Sequence, residues 1–81
     1  MNRDEVLDLV RTHLAEELEV EIAKIGEGTR FKDDLDADSL DLYELVMELE
    51  DRYGVVISEQ QATKIETVGD AVSFVVEHAP A

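Results

Sequence analysis

Three carboxylates and one hydroxyl crowd the stretch "DADSLD", residues 36–41. Ser39 stands among Asp36, Asp38 and Asp41, just where a helical pattern begins. Four chemistries are open to a serine so placed. It could cap the helix, belong to a cation loop, attack a substrate, or accept a modifying group.

Capping is the commonest use of serine before a helix. With Ser39 as N-cap, the third helical position would be Leu42, which completes no capping box. With Asp38 as N-cap that position is Asp41, and both carboxylates suit the positive end of the helix dipole. Asp38 is therefore the expected cap, and Ser39 becomes the first helical residue with its hydroxyl free. Asp34, Asp36 and Asp38 match the first, third and fifth positions of an EF-hand loop. The match then fails, because Ser39 replaces the glycine and Leu45 the final glutamate, so no metal site is assigned. A nucleophilic serine needs a base and a group that orients it. The histidines, His13 and His78, are both distant in sequence and read as helix-surface residues. No catalytic residue is assigned, and the chain reads as a non-enzyme. A free hydroxyl at a helix N-terminus suits an attached phosphate, which the dipole and unpaired N–H groups favour. Beside these acids a singly charged diester is better tolerated than a dianion.

Composition narrows the partners. The chain has 81 residues, read as a single domain over 1–81 with one small core. It carries 21 acidic against 7 basic side chains, a formal charge of −14. That field repels nucleic acids and anionic membranes, attracts basic protein patches and favours a monomer. Cysteine is absent, which excludes disulfides and thiolate zinc sites and fits a cytoplasmic location. Any thiol chemistry must use a thiol from outside. The N-terminal "MNRDEVLDLV" has no long apolar run, so neither a signal peptide nor a membrane span is expected.

The elements that must position Ser39 read as all-α. A first helix is predicted over 4–19, with Val6, Val10, Leu14 and Leu18 on one stripe beside Leu7. Residues 20–38 form a long connection broken by Gly26 and Gly28 and anchored by Val20, Ile22, Ile25, Phe31 and Leu35. The second helix spans 39–53 and stops at Gly54. "VVIS" is read as extended loop, since one strand has no partner. A short helix over 59–65 starts at Ser58, and Thr67 caps the last helix, 68–78, with Asp70 at its third position. Val68, Ala71, Val72 and Val75 form that helix's buried stripe, and Pro80 follows its end. Three main helices and one short helix therefore pack around an aliphatic core.

The second helix divides into three faces. With Ser39 at zero, Leu42, Leu45, Val46, Leu49 and Tyr53 fall at about 240–340°, the core stripe. Asp41, Glu44, Glu48 and Asp51 fall at about 120–200°. Leu40 and Met47 lie between, near 80–100°, with Tyr43 further round, at roughly 40°. An apolar pair lined by carboxylates fits a docking surface with charge for steering. The alternative is a wide core stripe that buries both.

The stretch "LDADSLDLYELVMELEDRYG", residues 35–54, closely resembles the acyl carrier proteins of dissociated (type II) fatty acid synthesis. "DSL" followed by "ELVMELED" carries the signature, and "KIETVGDAV" at 64–72, the length, the acidity and the helix order agree. The resemblance implies an acyl-carrier-like bundle in which Ser39 accepts 4′-phosphopantetheine from coenzyme A. It also explains the missing cysteine, since the thiol sits on that arm. It implies that Asp38, Leu40, Asp41, Glu44, Met47, Glu48, Glu50 and Asp51 are read by partners. Those partners are a phosphopantetheinyl transferase and fatty acid synthesis enzymes with basic docking patches. It further implies an acyl pocket lined by Phe31, Leu35, Leu42, Leu45, Leu49, Ile57, Ala62, Ile65 and Ala71. A polyketide-type carrier is the nearest alternative, and an acidic calcium-responsive or interaction protein the alternative from another class. Two departures stand out. Many relatives have glycine where this chain has Asp36, so either glycine's freedom is not needed there or the loop differs. Arg52 interrupts an acidic run that many relatives keep.

Overall fold

Asn2 opens the first helix by accepting the Asp4 N–H at 2.8 Å, and Asp4 and Glu5 fill the first turn. In the computed structural model, which describes residues 2–79, this helix is α1, Arg3–Leu18. It runs one residue earlier at each end than the sequence suggested. Glu19 turns left-handed at φ 55° and returns its N–H to the Ala15 carbonyl, which ends the helix. Val6, Val10 and Leu14 are buried, while Leu7 and Leu18 pack half-buried at the edge of the core.

Helix α2 spans Ser39–Tyr53 and α4 spans Val68–His78, both as expected. The short α3 spans Glu59–Thr63, two residues less than expected. Lys64 and Ile65 return their N–H groups to Gln61 and Ala62 in a tight closing turn. Gly54 ends α2 at φ 68° with its N–H on the Glu50 carbonyl. Residues 54–58 form no strand; Val55 and Ile57 point inward while Val56 is 82% exposed, the alternation of extended backbone. Ser58 and Gln61 form one capping box and Thr67 and Asp70 another. All four residues of the expected α4 stripe are buried. Helix α1 packs chiefly on α4 and, less extensively, on α2. Pro80 lies outside the described residues.

The long α1–α2 connection is strapped to the start of α4. Phe31 donates to the Glu66 carbonyl at 3.0 Å, Val68 to Thr29 at 2.9 Å and Gly69 to Glu27 at 2.7 Å. Loop carbonyls thereby satisfy N–H groups that α4 would otherwise leave unpaired. Gly69 is required by that approach, since a Cβ there would sit 2.9 Å from the Glu27 oxygen. Ile25 and Phe31 are buried anchors, and Val20 and Leu35 are half-buried. Ile22 is not an anchor, its side chain being 42% exposed. It begins a 3₁₀ turn, Ile22–Lys24, and is held by its carbonyl instead. Arg11 donates to that carbonyl at 2.9 Å and to that of Ile25 at 2.7 Å.

Candidate functional site

The loop delivers the chain to α2 through a left-handed residue. Asp36 adopts φ 54°. The turn therefore does call for a positive φ at this position. At φ 54° it uses the freedom that glycine would supply, against the reading that this freedom is not needed there. Aspartate is among the few side-chain-bearing residues that tolerate this region. The turn places Ala37 in the core, 5% exposed, with its N–H on the Phe31 carbonyl at 2.8 Å.

Asp38 then caps α2. Its Oδ1 accepts the Asp41 N–H at 3.0 Å, and Asp41 Oδ2 accepts the Asp38 N–H at 3.1 Å. Two carboxylates thus complete the box without calling on Ser39. Ser39 is the first residue of the helix, exposed, and its hydroxyl has no hydrogen-bond partner among the described residues. Of the apparent EF-hand acids, Asp34 is turned instead to the Arg30 N–H at 2.8 Å, and Asp38 is used by the cap.

Ser39 also stands at the wall of a cavity of about 780 Å³ between α2, α3 and the loop that precedes α2. Phe31, Leu42, Leu45, Leu49, Ile57, Ala62, Ile65 and Ala71 line it. Leu35 packs on the core but does not line the cavity. Tyr43, Val46 and Glu50 line it and were not expected there. Tyr43 was discoverable, because its helical angle is within about 40° of Ser39.

The exposed side of α2 separates the two readings of its third strip. Leu40 is 63% exposed and Met47 54% exposed, so a wide core stripe is excluded. Asp51 is exposed, and Glu48 pairs with Arg52 at 3.3 Å. The interrupting arginine therefore partly neutralises one of the acids. Glu50 is half-buried and turned to the next loop, where its Oε2 accepts the Ile57 N–H at 3.0 Å.

A cluster that the sequence did not announce joins α1 to this face. Carboxylate oxygens of Glu17, Asp41 and Glu44 lie within 4.8 Å of one another. A hydrogen bond with Glu17, and that residue's negative charge, hold the Glu44 carboxyl above the ordinary value of 4.5. Partial desolvation and Asp38 push the same way, and His13 opposes them. His13 is half-buried, with its Nε2 enclosed and without a hydrogen-bond partner among the described residues, rather than the surface residue expected. His78 is exposed, as expected, and stacks on Phe74 with ring centroids 4.1 Å apart.

The helical bundle thus presents an unclaimed hydroxyl at the start of a helix, on the wall of a largely apolar cavity. Residues 8–75 match the family described as a phosphopantetheine attachment site. The chain is 44% identical to the acyl carrier protein of Lactobacillus acidophilus over 78 residues, which covers 96% of this chain and 98% of that one. It is 44% identical to the acyl carrier protein of Rubrobacter xylanophilus over 81 residues, the full length of both. The solved structure of the acyl carrier protein from Enterococcus faecalis superposes with a TM-score of 0.85 at 42% identity, covering 98% of this chain and 100% of that one. These findings define a phosphopantetheine-bearing carrier domain.

The chain belongs to the acyl carrier protein family. It is a carrier and not an enzyme, and its cofactor is a covalently attached 4′-phosphopantetheine. The residues present fit that group, since an exposed serine hydroxyl unclaimed by the cap is what a phosphodiester requires. Among the described residues, no helix is long and apolar enough to cross a membrane.

Proposed function

We propose that Ser39 is the attachment residue and that the protein carries growing acyl chains between the enzymes of fatty acid synthesis in the cytoplasm. The observation that carries this reading is the position of the free Ser39 hydroxyl at the wall of the 780 Å³ cavity. The bound arm supplies a thiol that holds acyl groups as thioesters. Asp38 and Asp41 keep the first turn of α2 formed, so that Ser39 stays presented. Leu42, Leu45, Leu49, Ile57, Ala62 and Ile65 offer apolar walls to an acyl chain. Each methylene buried there is worth about 0.8 kcal/mol.

Partners are a phosphopantetheinyl transferase and synthesis enzymes that present basic patches. Leu40 and Met47 provide the apolar centre of contact, and Asp38, Asp41, Glu44, Glu48 and Asp51 provide the charge around it. Glu50, expected with them, gives its carboxylate to Ile57 instead.

Intact-mass measurement tests the attachment. After incubation with coenzyme A, magnesium and a transferase, the wild type gains one phosphopantetheine and Ser39→Ala gains none. An adduct retained by Ser39→Ala would move the site elsewhere. No adduct with any competent transferase would overturn the carrier reading.

A further inference from the structure

Glu50 ties the reversal between α2 and α3 back to α2. Glu50 accepts two N–H groups from beyond its own helix: its backbone carbonyl takes that of Gly54 at 2.9 Å, and its carboxylate takes that of Ile57 at 3.0 Å. The Ile57 N–H lies in extended backbone that belongs to no helix or sheet. The contact is partly buried, so losing the acceptor leaves a donor poorly served by water. Ile57 is itself 8% exposed and lines the cavity, as does Glu50. Ser58, which follows at once, starts α3. One carboxylate on α2 therefore meets the segment where the opposite wall of the cavity begins.

We propose that Glu50 is a positioning residue for the acyl cavity: it latches the 54–58 loop to α2 and so holds Ile57 and α3 against the walls formed by Leu45 and Leu49. The proposal rests on reading the cavity as the acyl site. It gives Glu50 a role that depends on an acceptor oxygen, not on a negative charge. Docking would depend on the charge. Glutamine keeps the acceptor and loses the charge, so Glu50→Gln and Glu50→Ala separate the two.

Two readouts on the folded protein decide it. In the unloaded protein, amide hydrogen exchange at Ile57 is expected to rise about tenfold or more in Glu50→Ala and to stay within about threefold of wild type in Glu50→Gln. In the wild type the Ile57 amide proton shift should follow titration of the Glu50 carboxylate, an observation that does not require the alanine variant to fold. In the octanoyl-loaded protein, hydroxylamine should cleave the thioester severalfold faster in Glu50→Ala than in wild type or Glu50→Gln. An Ile57 shift that ignores the Glu50 titration overturns the latch, as does equal behaviour of Glu50→Gln and Glu50→Ala. A wild-type thioester that reacts as fast as octanoyl-pantetheine overturns the cavity reading instead, while exchange at Ile57 still decides the latch.

Discussion

Glu17 on α1 and Glu44 on α2 hold their carboxylate oxygens within 4.8 Å of each other, across the junction of two helices. Both are acids, and the pair raises the Glu44 carboxyl above 4.5. In the pH window between 4.5 and that raised value, the folded chain binds more protons at Glu44 than the unfolded chain. Stability contributed by this site therefore falls as pH rises through the folded value and is regained on acidification. Glu17→Gln removes the repulsion. We expect it to raise the unfolding midpoint at neutral pH, with the gain shrinking as pH falls toward 4.5. Carboxyl NMR titration should show Glu44 returning toward its ordinary range in the same variant. A Glu44 titration unmoved by Glu17→Gln would refute the pairing.

Asp36 occupies the left-handed region at φ 54° where glycine would rest without a Cβ penalty. Asp36→Gly should raise stability by up to about 1 kcal/mol, measured by urea unfolding. Part of that gain is lost to the extra freedom of glycine in the unfolded chain. Asp36→Val should lower stability, because a β-branched residue fits this region worst. A gain on valine substitution would contradict the geometry.

Gly69 admits the Glu27 carbonyl at the start of α4. Gly69→Ala should cost about 1–3 kcal/mol, because its Cβ must displace backbone rather than a flexible side chain. Helix propensity alone favours alanine by about 1 kcal/mol. The sign of the measured change therefore tells which effect wins, and we expect destabilisation.

Binding and stability should separate on the proposed docking face. Met47 is 54% exposed, so Met47→Ala should leave the circular dichroism and unfolding midpoint nearly unchanged. It should weaken transferase or ketosynthase binding by about 1–2 kcal/mol. Glu44→Lys should weaken the same binding more strongly, while its cation relieves Glu17. A variant that is more stable yet binds worse is the expected signature. Unchanged affinity of both variants for both partners would exclude this face.

Local chemistry was readable from the chain. The choice of Asp38 over Ser39 as cap depends on residues three apart, and so do the boxes at Ser58 and Thr67. The bounds of α2 and α4 and the inward set of α4 follow from helical periodicity, which is a property of neighbours in sequence. With them came the free hydroxyl of Ser39 and the angular separation of Leu40 and Met47 from the core stripe, although only packing excluded the wider stripe that would have buried both.

What the tertiary structure alone decided are relations between residues far apart in the chain. The helical angle of Glu50, about 20° from Ser39, already sets it off the acidic face, but no pattern near it announces that its carboxylate will accept the Ile57 N–H. None near Glu17 or His13 shows that α1 will bring them to Glu44. Ile22 looks like an anchor by its apolarity, yet Arg11 holds its carbonyl and leaves its side chain outside. Even the φ of Asp36 depends on how a loop tied to α4 must turn to deliver Asp38 to its cap. Periodicity reports which side of an element is apolar; only packing settles which elements meet, and therefore which polar groups are left to satisfy one another.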